Sequence, residues 1–267
     1  MNPRTYFKPQ VFMNRLNKYA VNSYYVDLIK RKGNLREILI KARVASSRRT
    51  ITELFSDPEA WNKGLTEKEK QEKLEKIISD VDKKEAEEVD KFFVTLLNQT
   101  LVMLCTVFDT YLVDCFDVIT YAKPDLLKSF TNDKDISVGE VIDGKNYDNV
   151  FNVIQSKVLR RFDFAGIEDK FKYFQKAGIE TKDLFTLNNV MTPKYTDPFS
   201  LILKAYNDRN DIVHRNQMKI SSYEEISRIS ELMTHLIMHW GILEFKKKFK
   251  IDSDFILMSQ GKLIPTE

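Results

Sequence analysis

Residues 92–119, FFVTLLNQTLVMLCTVFDTYLVDCFDVI, hold neither glycine nor proline and repeat apolar side chains at helical spacing. Phe92, Phe93, Leu96, Leu97, Leu101, Leu104, Val107, Phe108, Tyr111, Leu112, Cys115, Phe116 and Ile119 cover a face wider than a surface helix needs, so this helix is expected at the centre of the fold. Asn98, Gln99, Asp109 and Asp114 interrupt the run before it reaches the roughly 18 apolar residues that a bilayer span requires. Cys105 and Cys115 lie ten apart on the same helix. A rise of about 1.5 Å per residue holds them about 15 Å apart, so they are expected to be buried free thiols, as in a reducing cytoplasm.

Upstream, Thr66 and Glu69 form a capping box that opens the helix. Residues 67–91 are highly charged, with only Leu74, Ile77, Ile78, Val81 and Val89 as a thin apolar stripe. So long a helix is unusual, and a kink is expected near Ser79–Asp82. Two further helices are read before it, residues 9–31 ending at Gly33 and a second capped by Asn34, with a break at Asp57-Pro58 and Trp61 as an anchor beyond. Downstream, Pro124 stops the central helix and starts a short one to Phe130. Residues 131–148 are irregular, with Ser137 and Glu140 as a further capping-box pair. Helices follow over Tyr147–Arg161 and Phe164–Ala177, the latter closed by Gly178. Asp197-Pro198 then starts another helix, and residues 222–249 form the last.

With 8 glycines and 7 prolines in 267 residues there is little turn material, and the fold expected is all-α. The expected organisation is a basic helical N-terminal extension (1–80), a helical domain (81–250) and a C-terminal tail (251–267). The N-terminus lacks the apolar centre of a signal peptide, so a cytoplasmic protein without membrane segments is expected. The net charge of +3 conceals an asymmetry: residues 1–50 carry twelve Lys/Arg against two acids, a net +10, leaving −7 for the rest. Such a region either attracts phosphate backbones or packs near the acidic stretch 67–90 of the same chain.

The chemistry-bearing run is Arg209-Asn210-Asp211-Ile212-Val213-His214, on the helix opened by Asp197-Pro198 with Phe199, Ile202, Leu203 and Tyr206 as its buried stripe. At 100° per residue, Asn210 and His214 lie about 40° apart, one turn from each other, and Arg209 about 140° from His214. Histidine suits proton transfer because its pKa lies near neutrality. Arginine suits a pentacoordinate phosphorus because its planar, permanently charged fork matches phosphate oxygens. Together they fit RNA cleavage by 2′-hydroxyl attack, with Asn210 orienting the histidine or donating to phosphate. One His and one Arg make half a site, and two chains about a twofold axis would supply acid and base together. On spacing alone, an Arg and a His five apart on a helix are more often surface or capping groups than catalysts.

This run resembles the Arg-x(4–6)-His signature of the HEPN superfamily, in which a polar residue follows the arginine. Leu104-Cys105-Thr106-Val107-Phe108-Asp109-Thr110-Tyr111-Leu112 resembles the aromatic-acidic-x-Tyr-Leu helix of its RiboL-PSP-type members, and the likeness spans about residues 85–250. The resemblance implies a dimeric α-helical bundle with both motifs facing one cleft. It also implies a metal-independent endoribonuclease of the kind found in toxin–antitoxin, abortive-infection and other phage-defence systems. Arg209 and His214 would then be catalytic and Asn210 supporting, with no metal and no cofactor. Arg215, next to the motif, and Asp211 are read from their position as RNA phosphate contacts. The partners implied are RNA, a second copy and an antitoxin or defence-system protein. Some members carry a modifiable tyrosine two residues after the histidine; Asn216 stands there in this chain. The alternative is a non-catalytic module of the same kind, binding a partner protein or nucleotide. A third reading is a basic RNA-binding protein driven by residues 1–50.

Other groupings carry less. His235 and His239 are spaced for zinc but no third ligand is evident. Lys246-Lys247-Lys248 and Lys250 either touch RNA or serve the helix dipole. Arg160-Arg161 reads either way. No Gly-rich phosphate loop, Ser/His/Asp grouping or paired cysteine site is present.

Overall fold

The computed structural model describes residues 6–7, 9–31, 34–55, 66–131, 147–179, 198–239, 252–253, 257–259 and 262–264. The fold is all-α. Its helices are α1 (Pro9–Arg31), α2 (Asn34–Phe55), α3 (Glu67–Ala122), α4 (Leu127–Phe130, preceded by a 3-10 turn Pro124–Leu126), α5 (Tyr147–Phe164), α6 (Ile167–Lys176), α7 (Pro198–Arg215) and α8 (Tyr223–His239). Two short strand pairs lie at the ends of the chain. Tyr6–Phe7 runs parallel to Asp252–Ser253, and Leu257–Ser259 runs antiparallel to Lys262–Ile264. Trp61, Ser137, Glu140, Asp197, residues 180–196, and Lys246 to Lys250 lie outside the described residues, as does any helix beyond His239.

Helix α3 is the axis of the molecule, 56 residues and therefore about 84 Å long. Thr66 and Glu69 make the expected reciprocal cap: the Glu69 carboxylate accepts from the Thr66 N–H (2.8 Å), and the Thr66 hydroxyl accepts from the Glu69 N–H (3.4 Å). At the other end the Lys123 N–H closes on the Ile119 carbonyl before Pro124. The expected kink near Ser79–Asp82 is absent, and α3 runs through it as one helix. The region has no helix-breaking residue, and α2 lies along it. Arg43 and Ser47 of α2 donate to Glu85, and Arg48 donates to Asp82. These bonds also bear on the two readings of the basic N-terminal segment. Arg43 and Arg48 face the acidic stretch of their own chain, and the Arg43 guanidinium holds the Glu85 carboxyl below its usual range. Ser46-Ser47 does not interrupt α2.

Burial on α3 begins at Val89 and follows Phe93, Leu97, Leu101, Leu104, Phe108, Tyr111, Cys115 and Ile119, a helical period. Helix α1 supplies Phe12 and Leu16 to the same core, Phe12 meeting Tyr111 edge-on at 5.4 Å. The centre at the far end is aromatic. Phe116 stacks on Phe162 at 4.3 Å and takes Phe130, Tyr173 and Phe174 on its edges, arrangements that add roughly 0.5–1.5 kcal/mol per pair beyond burial. Gln155 of α5 ties to α3 through Asp117 and Thr120, and Arg161 donates to the Phe130 carbonyl at 2.7 Å.

Phe164 ends α5 rather than starting α6, because Gly166 takes an extended conformation (φ −62°, ψ 160°) as the N-cap of α6. Gly178 closes α6 as expected, with φ 83°. The Gly178 N–H reaches the Gln175 carbonyl and the Ile179 N–H the Phe174 carbonyl, with Ile179 and Phe174 both buried. That is a Schellman ending with its apolar clasp.

Candidate functional site

Helix α7 lies on α3 through Ile202, Ala205 and Tyr206, all buried. The Tyr206 hydroxyl donates to the Cys105 carbonyl (3.3 Å), and the Cys105 thiol reaches the Ala205 carbonyl (3.8 Å). This packing sends Arg209 inward and His214 outward. Arg209 is half-buried between two clefts, of about 480 and 340 Å³, and lines both together with Asp109 and Asp163. Its Nε is buried and makes no hydrogen bond, while Nη1 donates to Asn210 Oδ1 at 2.9 Å. His214 is exposed in the last turn of α7 and lines neither cleft. The motif of one chain is therefore split. Arg209 and Asn210 are joined by a hydrogen bond, and His214 sits one helical turn beyond Asn210, facing solvent.

The two clefts differ in charge. Asp109, Asp163, Glu168 and Asp169 line the larger one against Arg209, whereas in the smaller one Arg160 and Arg209 stand against Asp109 and Asp163. Lys170 is held by Asp109: its side chain is 1 % exposed, Nζ sits 2.6 Å from Asp109 Oδ1, and the Phe162 ring lies 5.5 Å away. A phosphate chain is disfavoured in the larger cleft. The outer face of α7, with Asn210, Val213, His214 and Arg215 exposed, is the side open to a polyanion.

No protein-family model, curated protein or solved structure matches this chain. What the site can do is therefore argued from its residues.

Arg215 is 70 % exposed and bonded to Asp211 Oδ1 (3.0 Å), and Lys219 bonds Asp211 Oδ2 (2.7 Å). An ionised carboxylate only accepts hydrogen bonds, so Asp211 reaches phosphate solely through the cations it holds. The Lys219 ammonium holds the Asp211 carboxyl below its ordinary value, with Arg215 adding to it. The group therefore binds protons less readily folded than unfolded. Its contribution is present above the ordinary carboxylate range and is lost as pH falls through the lowered value.

Asn216 follows with φ 53°, the left-handed region, and the Gln217 N–H turns back to the Asp211 carbonyl at 3.2 Å. Asparagine tolerates this conformation better than any β-branched residue. Asn216→Val is expected to destabilise the protein by about 1–2 kcal/mol, and Asn216→Gly to leave it unchanged or slightly more stable. Urea unfolding of the two variants checks this; equal midpoints would contradict it.

Periodicity missed three residues. Asn98 is 1 % exposed on the apolar face of α3. Its Oδ1 accepts from the Lys219 and Ile220 N–H groups (2.8 and 3.0 Å), and its Nδ2 donates to the Ile220 and Val94 carbonyls (2.8 and 2.7 Å). Asp109 and Lys170 form the partly buried pair above. A polar residue inside an apolar stripe was the signal in each case. The cysteines are buried as expected, and burial pushes the Cys105 thiol up to about 12, so neither serves as a nucleophile. His235 is half-buried, and burial lowers its pKa. Among the described residues no group of three metal-ligating side chains converges, and no helix is long and apolar enough to cross a membrane.

Proposed function

We propose that this chain is a metal-independent endoribonuclease of the HEPN type, working as a homodimer in which two α7 helices meet across a twofold axis. Two copies of His214 then supply the base that takes the ribose 2′-hydroxyl proton and the acid that protonates the leaving 5′-oxygen. Arg209, bonded to Asn210, reaches the phosphorus from the smaller cleft, where Arg160 and Arg209 match the two aspartates, and the cut leaves a 2′,3′-cyclic phosphate. The observation that carries this reading is the surface around the motif. His214 and Arg215 are exposed beside Val213, itself 49 % exposed, and Met218, just beyond the helix, is 48 % exposed. Apolar side chains left open next to a polar site suit an interaction surface. The cellular setting that fits is a cytoplasmic effector of a phage-defence or toxin–antitoxin system.

The half-buried Arg209 and the acidic larger cleft beside it favour a second reading, a non-catalytic module binding a partner protein or nucleotide, of which the carboxylate lining suits a basic protein segment better. Brief induction in a bacterial host, followed by sequencing of RNA ends, separates the two. The expected result is a set of new ends with the wild type, lost by more than about 100-fold with His214→Ala or Arg209→Ala. The purified variants are expected to remain folded and dimeric, and EDTA to leave cleavage unchanged. Undiminished cleavage by both variants, or no new ends with the wild type, sinks the ribonuclease reading.

A further inference from the structure

The strand of chain that follows the motif is tied down at both ends. Asn216 reverses it, the Gln217 N–H returns to the Asp211 carbonyl, and the Lys219 ammonium returns to the Asp211 carboxylate, whose other oxygen holds Arg215. The backbone of Lys219 and of the next residue, Ile220, is captured by the buried amide of Asn98. Asp211 and Lys219 are 22 % and 30 % exposed, so their bond is sheltered compared with the surface pairs on α3. His214 lies between Asp211 and Arg215 in the last turn of α7, and its imidazole is exposed. Helix ends leave their last carbonyls unsatisfied and open at low cost. Among the described residues the His214 side chain makes no hydrogen bond or ion pair, so within them the backbone of that turn sets where it stands.

We propose that Asp211 and Lys219 are positioning residues: their carboxylate–ammonium clasp locks the last turn of α7 to the segment that Asn98 anchors on α3, and so fixes His214. This rests on the reading of His214 as the group that moves the proton. It gives Asp211 a role different from a phosphate contact, and the two roles predict opposite kinetics. A lost phosphate contact weakens substrate binding. A lost clasp misplaces the histidine, which lowers turnover, while Arg215 and Lys219 are freed from their carboxylate and bind phosphate at least as well.

The full-length dimer is assayed on a mixed-sequence single-stranded RNA oligonucleotide, with amide hydrogen exchange measured on the same proteins. Asp211→Asn and Lys219→Met are each expected to lower kcat by about tenfold, a modest loss for a displaced catalytic group, and in Asp211→Asn, which keeps both cations, KM is no higher than in the wild type. Lys219→Arg, which keeps the cation, is expected to restore kcat to within about twofold. In the two damaged variants amides of residues 212–217 exchange faster, and those of the α3 core do not. A raised KM with unchanged kcat assigns Asp211 to substrate binding and overturns the clasp, as does unchanged exchange over residues 212–217. If the wild type does not cut this RNA, the ribonuclease reading fails, and the exchange measurement alone decides whether the clasp exists.

Discussion

Asp109→Ala is expected to destabilise the protein by about 3–5 kcal/mol, far more than the loss of one half-exposed carboxylate suggests. The reason lies in its partner. The Lys170 side chain is 1 % exposed and its ammonium is 2.6 Å from Asp109 Oδ1, on the α6 face that also buries Ile167, Phe171 and Phe174. Removing the carboxylate leaves a buried cation without this counter-charge, with the Phe162 ring facing it as a weak substitute. The reverse substitution is expected to be mild. Lys170→Met keeps the volume and removes the buried charge, while Asp109, 34 % exposed, turns to the water of the cleft. Its cost is about 1 kcal/mol or less, within the range of well-tolerated core exchanges. Chemical denaturation of the two single variants and the Asp109→Ala/Lys170→Met double tests this asymmetry. The double is expected to lie close to Lys170→Met alone, because the penalty of Asp109→Ala belongs to the lysine it strands. Equal losses in the two single variants would show that the pair contributes nothing beyond packing.

This pair also bears on the site. Asp109 and Arg209 line the same two clefts, so the carboxylate that neutralises Lys170 also sets the field in which the Arg209 guanidinium sits. Spacing on α7 reported which motif residues share a face. It could not report what stands opposite them. What stands opposite Arg209 is Asp109, 100 positions earlier, together with Asp163, Glu168 and Asp169, which the turn around Gly166 brings to the cleft. Features set by local chemistry were legible: the Thr66–Glu69 cap, the stop at Pro124, the left-handed ending at Gly178 and the apolar period of α3 from Phe93 to Ile119. The uninterrupted passage of α3 through Ser79–Asp82 was not legible, because its support comes from Arg43, Ser47 and Arg48 on another helix. Likewise the net charge of residues 1–50 does not report that, among the described residues, Arg43, Arg48 and Arg49 are paired with acids of the same chain.

Asn98 makes the second strong test, because by pattern alone it is an interruption and by structure it is a junction. All four hydrogen-bonding positions of its amide are used, two accepting and two donating, and three of the four bonds go to Lys219 and Ile220, about 120 positions away. Asn98→Leu fills the volume but abandons the Ile220 N–H and C=O in a buried setting, and the Lys219 N–H at its edge. With each stranded group costing about 1–3 kcal/mol, the expected loss is about 3–5 kcal/mol, or a fall in Tm of about 10 °C. Asn98→Asp is the sharper comparison. It keeps both acceptors for the Lys219 and Ile220 N–H groups but sets an oxygen against the Val94 and Ile220 carbonyls and buries a charge. It is expected to be no better than leucine at neutral pH and to recover part of the loss in acid, where the protonated carboxyl can donate again. The two substitutions thus separate the donor half of the amide from the acceptor half. A loss below about 1 kcal/mol in both would mean that the segment after His214 finds other partners, and that α3 does not hold it.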